Sequence, residues 1–491
     1  MTYHLPVLLV VVPLVAAPIA ALLNRPRLSW AVAVAATLWA LYAALELLSQ
    51  TMASGAIHYE LGGWTAPYGI EYVVDAANAW VVVIVALIGA LVTPYARASV
   101  EQEITEDRIP LFYAAFILCL TGLLGIAVTG DVFNVFVFLE ISSLSAYALI
   151  ALGNDRRALT ASFQYLIMGS VGATFIVIGI GLMYVMTGTL NMADLADRLP
   201  EVANSRTIPV AFTFLTIGIT LKLALFPLHM WLPNAYTYAP SAVTAFIAST
   251  ATKVAVYLLL RFFFTIFGAT FSFDVMQLDR ILMPLALIAI VAMSLVAIYQ
   301  ENVKRLLAYS SVAQIGYMVL GISFASVLGL TAGILHLFNH ALMKGALFMS
   351  MGCVMYRVGS VRLERMNGLG RAMPWTMAAF VVGGLSLIGV PLTVGFVSKW
   401  YLVQAALEQG MWPVAGVVLL GSLLALMYVW KVVEVAYFRE ADPELGISEA
   451  PLSLLAPTWV LVLGNLYFGI NASDSVGVAT RAAEMLLGVL S

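Results

Sequence analysis

The sequence predicts an all-α polytopic membrane protein, and its composition and the lengths of its apolar segments are the observations behind this prediction. Of its 491 residues, 62% are hydrophobic and 10% are charged, whereas a soluble globular domain has about 25% charged residues. The mean hydropathy is +0.99, and apolar segments of about 20 residues recur, the length that crosses a bilayer as a helix. Cys119 and Cys353 lie far apart in such segments, which predicts neither a disulfide framework nor a metal cluster.

Fourteen apolar segments are long enough to cross, and they divide the chain into four parts. In chain order the segments are 5–23, 28–50, 76–96, 110–128, 131–152, 162–187, 207–227, 240–267, 281–299, 306–325, 331–356, 375–403, 412–437 and 454–471. Spans 1–3 belong to an N-terminal part (1–109), and spans 4–8 form a first five-helix unit (110–267). Spans 9–13 form a second unit (281–437), and the last span lies with the C-terminal tail in 454–491.

The distribution of basic residues predicts the orientation of the chain. With the N-terminus outside, the inward loops hold thirteen Lys and Arg and the outward segments hold four, as the positive-inside rule requires. Both termini are therefore expected on the outer side of the cell membrane. The other six basic residues lie within or near the ends of predicted spans: Lys222, Lys253, Arg261, Lys344, Lys399 and Lys431.

Five of the chain's six lysines belong to this interior group, while the loops carry almost only arginine. Arginine stays protonated in proteins, whereas a buried lysine exchanges its proton readily. The division is typical of a chain that moves protons through its interior. The alternative is that the lysines extend to the membrane interface or merely pair with acids, as expected most for Lys431, close to Glu434.

An acidic residue, Glu140, lies in the centre of the fifth span. A charge at this depth costs on the order of 2.5–3.5 kcal/mol, so such residues are usually paired and functional. The expected partner is Lys222, and we interpret Glu140 as a proton-relay residue. Asp131, at the mouth of the same span, either caps the helix or attracts cations, and its position after a glycine favours the cap.

Two spans are interrupted near a lysine, which predicts discontinuous helices in spans 7 and 12. Pro227 follows Lys222 by five residues, and Pro391 precedes Lys399 by eight. Irregular backbone at membrane depth is tolerated where it lines a cavity or is buried in protein. The two spans are five apart, and because five is odd, units 4–8 and 9–13 are expected to be inverted repeats.

Further polar side chains lie in the eighth and eleventh spans. Lys253 is among hydroxyl residues that can solvate a charge or organise water. His336, His340 and Lys344 are spaced i, i+4 and i+8, so they share one helix face over about 12 Å. Histidine relays protons near neutral pH. The alternatives for this face are zinc bound by the H-x3-H pair, although no third ligand is evident, and a polar contact between helices.

Together these segments resemble the antiporter-like subunits shared by Mrp-type cation/proton antiporters, respiratory complex I and membrane-bound hydrogenases, and within that superfamily they are most similar to the D-type subunit of the Mrp antiporters. The resemblance extends over nearly the whole chain. It is carried by TGDVFNVFVFLEISSLSAYALIALG, LKLALFPLHMWLPNAYTYAPSAVTAFIASTATKVAVYLLLR, ENVKRLLAYSSVAQIGYMVLGI, ILHLFNHALMKGALFMSMG and GVPLTVGFVSKWYL.

The resemblance implies roles for the interior residues, all in a path that conducts protons. By this resemblance the path consists of Glu140 in span 5, Lys222 in span 7, Lys253 in span 8, His336 and His340 in span 11, and Lys399 in span 12. Lys344, on the same face of span 11 as the two histidines, is included in the predicted path. At Gln314, where some complex I relatives have histidine, a titratable relay is not implied, although the amide can hold water. The family fold also implies the two inverted repeats and the two discontinuous helices.

Three functions are compatible with these observations. The first is the proton-translocating subunit of a multi-subunit antiporter that exchanges protons for a monovalent cation, sodium being expected. The second is a proton-pumping subunit of a redox-driven complex, and the third is an assembly scaffold. The expected partners are other membrane subunits and the lipid bilayer, with no nucleic acid. No catalytic residue, cofactor or metal is expected, because the sequence has no phosphate loop or nucleophile constellation.

Overall fold

The computed structural model describes residues 2–440 and 447–489, and helices dominate it. The first ten are α1 (Leu5–Leu22), α2 (Pro26–Ser54), α3 (Ala76–Glu103), α4 (Ile109–Val128), α5 (Val132–Ala151), α6 (Arg156–Thr187), α7 (Met192–Val202), α8 (Thr207–Lys222), α9 (Leu232–Tyr238) and α10 (Ser241–Leu260). They are followed by α11 (Asp279–Ile288), α12 (Ser294–Ile298), α13 (Val303–Ser323), α14 (Val327–Val358), α15 (Leu369–Ala372), α16 (Pro374–Ile388), α17 (Val394–Glu408), α18 (Trp412–Phe438), α19 (Leu452–Ile470) and α20 (Ser473–Leu486). Three π-helical segments occur at Arg261–Ile266, Thr270–Val275 and Ala289–Met293.

By length and composition, eleven helical segments of the described chain can cross a membrane. Two shorter apolar helices, α8 and α16, are the first halves of the interrupted spans. The prediction of a polytopic helical membrane protein is therefore confirmed.

Short polar side chains begin several of these helices, because the first backbone N–H groups of a helix have no partner within it. Asp131 Oδ1 accepts from the Asn134 N–H at 2.7 Å and begins α5, so the capping interpretation of Asp131 is confirmed. Asn302 begins α13 in the same way.

Both helices predicted to be discontinuous are broken. Helix α8 ends at Lys222, and the chain passes through Ala224 at φ 60° before α9 begins at Leu232. Helix α16 ends at Ile388, and α17 begins at Val394 after Gly389 at φ 91°. The end of each first half leaves backbone carbonyls without an intrahelical partner.

The core of the second half of the chain is α14. Every residue from Gly329 to Val354 is buried, and α14 packs against α10, α13, α16 and α17. The packing of α14 against α10 places side chains of the first predicted unit beside those of the second.

The two ends of the helical bundle differ. At one end, here called the hairpin end, β1 (Ile57–Glu60) and β2 (Glu71–Val74) form an antiparallel pair with Ile57 opposite Val74. The starts of α5 and α7 and the helix α20 lie at this end, as the Asp131–Asn191 bridge and the Arg481–Met52 hydrogen bond show. The hairpin, α7 and α20 lie outside the fourteen predicted spans.

The other end, here called the arginine end, holds the connections that carry most of the loop arginines. A cavity of about 400 Å³ opens there, lined by residues that include Glu103, Asp155, Arg157, Lys304 and Arg362.

Candidate functional site

Six of the seven predicted site residues are buried inside the bundle. Lys253, His336, His340 and Lys344 have no exposed surface, and Lys222 and Lys399 are 7% and 6% exposed. Glu140 is half-buried. Because a charged or polar group is costly to bury without partners, the contacts of each residue indicate what it can do.

Lys222 lies at the C-terminal end of α8 and faces α5. Its Nζ donates to Ser143 Oγ at 2.9 Å, and Ser143 is three residues beyond Glu140 on the same helix. No salt bridge among the described residues joins Lys222 to Glu140, but the carboxylate is near enough to act electrostatically on the ammonium, so the two are partners without direct contact. Glu140 Oε1 is buried and has no hydrogen-bond partner among the described residues. The hydrogen bond to Ser143 holds Lys222 beside the helix that carries Glu140.

Lys253 lies in the centre of α10 and donates to Ala248 O at 2.5 Å and to Thr252 Oγ1 at 3.4 Å. Among the described residues no carboxylate lies within ion-pair distance of it. Helix α10 packs against α14, and Lys253 is near enough to His336, His340 and Lys344 to interact with them electrostatically. The structure therefore brings Lys253 into the vicinity of all three predicted residues on α14.

The predicted face of α14 carries a continuous row of titratable groups. The rings of His336 and His340 are stacked with their centroids 6.1 Å apart. His336 lies 2.7 Å from Ser398 Oγ through Nδ1 and 2.9 Å from Gln314 Oε1 through Nε2. Neither nitrogen of His340 has a hydrogen-bond partner within 2–440 and 447–489. Lys344 donates to Leu307 O at 2.9 Å and also to Ser310 Oγ.

A zinc site on this face has no support in the described part of the chain. No group of three or more His, Cys, Asp or Glu side chains lies close enough together there to hold a metal ion. Both nitrogens of His336 are already occupied by protein groups. Cys119 and Cys353 are free and buried.

Lys399 lies on α17 and reaches back across the break to the end of α16. Its Nζ donates to the carbonyls of Leu387 and Ile388, each at 2.9 Å, and to Ser422 Oγ at 3.0 Å. These carbonyls are among those that a broken helix leaves without partners, so the ammonium stabilises the break. The same ammonium lies 4.9 Å from the centroid of the Tyr317 ring.

The two remaining interior cations have structural contacts. Arg261 forms a buried ion pair with Asp75 at 2.6 Å near the hairpin end. Lys431 donates to the carbonyls of Ile298 and Gln300, each at 3.1 Å, so it stabilises the end of α12. Its nearest carboxylate is Glu301 at 3.9 Å rather than the nearby Glu434 noted in the sequence. For Lys431 the alternative interpretation of pairing with an acid fits the structure, with Glu301 in place of Glu434.

Lys304 is a buried residue that the sequence did not single out. It was counted with the loop cations, yet it is only 2% exposed and donates to Ala239 O at 2.7 Å. It lines the cavity at the arginine end together with Glu103. On α13 it lies six residues before Ser310, a rise of about 9 Å toward Lys344.

The part of the chain that carries these residues is similar in sequence to known proteins. Residues 129–425 match the sequence profile of the family described as "NADH:quinone oxidoreductase/Mrp antiporter, TM". The chain belongs to this family. The matched residues contain all seven predicted site residues and both breaks.

Members of the family with different names align over most of the chain. The N-type subunit of the NADH-quinone oxidoreductase of Desulforudis audaxviator is 42% identical over 96% of this chain and 96% of its own length. The D-type subunit of the Na(+)/H(+) antiporter of Bacillus subtilis is 31% identical over 90% of this chain and 88% of its own length. These relatives confirm the superfamily to which the sequence was assigned.

Two solved structures are similar to the fold of this family member over nearly all of the chain. A chain of the Mrp complex from Dietzia has a TM-score of 0.91 at 26% identity, and the match covers 99% of this chain and 97% of the other. A chain of the membrane-bound sulfane sulfur reductase, an archaeal respiratory membrane complex, also has a TM-score of 0.91, at 30% identity and with 99% and 98% coverage.

The side chains that hydrogen-bond to the predicted residues of this family member are mostly hydroxyls, and the sequence analysis did not select four of them. Ser143, Ser310, Ser398 and Ser422 each contact one of the buried lysines or histidines. Ser143 and Ser398 had a detectable signal, because one lies a helical turn from Glu140 and the other precedes Lys399. Ser310 and Ser422 had none, because only the folded chain brings them to their lysines.

Proposed function

We propose that this chain is the proton-translocating subunit of a multi-subunit antiporter that exchanges protons for a monovalent cation, sodium being the cation we expect. It acts as a transporter subunit rather than as an enzyme. The observation that carries the proposal is a row of buried bases, from Lys253 through His340 and His336 to Lys399, with no carboxylate partner in the part of the chain that the structure describes. A cation that no carboxylate neutralises gains from releasing its proton, because the buried charge is then removed.

The proposed path begins at the cavity of the arginine end. Lys304 and Glu103 line this cavity, and α13 continues from Lys304 to Ser310, which contacts Lys344. From Lys344 the path passes through Lys253 and the two histidines and ends at Lys399. Glu140 and Lys222 form a separate acid–base pair outside this path, and the charge of the pair acts electrostatically on Lys253.

The proposed topology has fourteen crossings. They are the eleven spans described above, α14, and the two discontinuous spans formed by α8 with α9 and by α16 with α17. With both termini outside, the arginine end faces the cytoplasm and the hairpin end faces outward. Units 110–267 and 281–437 are the two inverted repeats, flanked by 1–109 and 454–491. The exposed apolar faces of the outer helices contact lipid and neighbouring subunits.

One observation favours a second candidate, a proton-pumping subunit of a redox-driven complex. The relative with 42% identity is named as an NADH-quinone oxidoreductase subunit, and one of the similar structures is a respiratory complex. The chemistry within this chain is the same in both candidates. They differ in what drives it, a cation gradient or electron transfer in a neighbouring subunit.

The decisive experiment is proton exchange in inverted membrane vesicles that contain the assembled complex. We expect added sodium to dissipate a pH gradient in the wild type, and Glu140→Gln to abolish this response at unchanged subunit levels. Proton pumping seen only after adding an electron donor, with no sodium response, would instead support the redox-driven candidate. Full transport by both Glu140→Gln and Lys399→Ala would leave only the scaffold function.

A further inference from the structure

Helix α10 and the residue that follows it carry three polar side chains between the proposed proton path and the hairpin end. Lys253, Tyr257 and Arg261 follow one another at intervals of four residues, so they share one helix face over about 12 Å. All three are buried, with exposed fractions of 0%, 1% and 6%. The proposed path uses Lys253 and gives the other two residues no part in transport.

A cavity reaches this face of α10 from the hairpin end. Its volume is about 660 Å³, and its lining includes Asp75 together with Arg481 and Glu484 of α20, which add one charge of each sign. Asp75 is 5% exposed, and its Oδ2 accepts a hydrogen bond from Arg261 Nη2 at 2.6 Å. The cavity is thus separated from the buried face of α10 by one ion pair.

Further contacts hold this ion pair in a fixed geometry. Asp75 Oδ1 accepts from the backbone N–H groups of Ala77 and Asn78, each at 3.0 Å, so the same carboxylate caps α3. Arg261 Nη1 donates to Thr265 Oγ1 at 3.3 Å. Each member of the pair is therefore bonded to the protein on a second side, and neither can turn away without breaking these bonds.

The hydroxyl of Tyr257 is also bonded on both sides. It accepts from Arg261 Nε at 3.0 Å and donates its proton to Ala127 O at 3.0 Å. The guanidinium carbon lies 5.3 Å from the centroid of the Tyr257 ring. The tyrosine proton is therefore directed to a backbone carbonyl of α4, an acceptor that has no proton to pass on.

Lys253 directs its ammonium toward the opposite end of α10. Its Nζ donates to Ala248 O at 2.5 Å, and Ala248 lies five residues nearer the arginine end, where Ser241 begins the helix beside Glu103. The ammonium is therefore held on the side that faces the arginine-end cavity, away from Tyr257.

A hydrogen-bonded chain conducts a proton only when each member can both accept and release one. A guanidinium has five N–H donors and no acceptor, and it does not deprotonate in proteins. We propose that Arg261, held by Asp75 and Tyr257, seals the proton path against the cavity at the hairpin end, an inference that rests on the proposed function. A proton from the cavity stops at Asp75, and a proton on Lys253 meets a fixed positive charge.

This seal keeps transport coupled. A Lys253 that exchanged protons with both ends of the bundle would let the proton gradient dissipate without driving any exchange. Because Arg261 closes α10 toward the hairpin end, Lys253 gains and loses protons through the arginine-end cavity and the row that leads to Lys399. The same positive charge repels monovalent cations that enter the cavity.

The test is the passive proton leak of the purified complex in lipid vesicles. A preset pH gradient is left to decay in choline thiocyanate, where no sodium supports exchange and the permeant anion prevents a membrane potential. The variant that combines Asp75→Asn with Arg261→Gln removes both charges, so no buried charge is left unpaired. It should raise the decay rate per assembled complex by about tenfold, because amide side chains both donate and accept and can bind water from the cavity.

A second variant, Arg261→Lys, keeps an ion pair with Asp75 but supplies a group that can release its proton. It should also leak faster than the wild type, which a purely structural role of the pair does not predict. The matched control combines Arg97→Gln with Glu101→Gln, which removes the exposed pair near the arginine end. It should hold the gradient as the wild type does.

Wild-type leak rates in both Arg261 variants, or an equal rise in the control, would overturn the seal, while sodium-dependent proton exchange by the wild type upholds the proposed function. A wild-type complex that moves no protons under any driving force would overturn the proposed function and the seal together.

Discussion

Lys222 Nζ lies 2.9 Å from Ser143 Oγ, and Ser143 lies one helical turn from Glu140 on α5. The serine therefore competes with the carboxylate for the ammonium. We predict that Ser143→Ala lets a direct Lys222–Glu140 ion pair form, which slows proton exchange by about tenfold. The rate in vesicles, per assembled complex, measures this effect.

Ser145→Ala is the control, because Ser145 is on the same helix but donates to Ile141 O at 2.7 Å. An unchanged rate in Ser143→Ala, or an equal loss in Ser145→Ala, would contradict this role of the serine.

Substituting arginine for lysine separates proton transfer from charge. Lys399→Arg keeps a donor near the carbonyls of Leu387 and Ile388, but a guanidinium does not deprotonate in proteins. We expect an assembled complex whose transport is lower by about a hundredfold or more, the usual size of a lost proton-transfer group. Lys431→Arg makes the same substitution at a lysine that also contacts two helix-end carbonyls, and should transport normally. Transport by Lys399→Arg at the wild-type rate would remove Lys399 from the path.

The buried ion pair near the hairpin end should be a large contribution to stability. Asp75→Asn keeps an N-cap oxygen for α3 but leaves Arg261 buried without its counter-ion. We expect a loss on the order of 3–5 kcal/mol in the free energy of unfolding, seen as a lower melting temperature of the purified complex. Glu101→Gln breaks the exposed pair with Arg97 and should cost less than about 1 kcal/mol. Similar melting temperatures for the two variants would refute the difference.

The hairpin should also lose stability in alkali. Burial raises the pKa of Tyr72 to about 12, and the Asn134 side chain opposes this rise. An unfolded tyrosine has a pKa of about 10, so the folded hairpin holds a proton that the unfolded chain releases between these values. Stability from this group is complete below pH 10 and is lost as the pH rises toward 12.

The melting temperature measured from pH 9 to 12 tests this, and it should fall less in Tyr72→Phe. Tyr68→Phe, in the same hairpin region but with its side chain 92% exposed, should behave as the wild type. An alkaline slope that is the same in all three proteins would exclude Tyr72 as its cause.

Much of the fold was predictable because the bilayer imposes helix lengths that a sequence displays directly. The breaks beside Lys222 and Lys399 were predictable because Pro227 and Pro391 interrupt their helices. The hairpin and α20 were not, because they are held by contacts between distant residues, such as Arg481 with Met52 O. An amphipathic segment outside the membrane also has no minimum length that would reveal it.

The candidate site divides in a similar way. A lysine or histidine inside an apolar span is conspicuous, so the titratable residues could be selected from sequence. Whether Glu140 and Lys222 form a direct salt bridge could not be predicted from the sequence, because the lysine donates instead to a serine on the same helix, α5. Lys304 was assigned to a loop for lack of any sequence signal that its side chain turns inward to Ala239 O.

The protonation state of Lys399 determines how many hydrogen bonds connect the helices around it. An ammonium has three N–H groups, and here three acceptors meet them, two at the severed end of α16 and one on α18. A neutral amine has only two N–H groups, so loss of the proton breaks one of the three hydrogen bonds between Lys399 and these helices. The number of hydrogen bonds that connect the break in the twelfth span to α18 therefore depends on whether Lys399 is protonated.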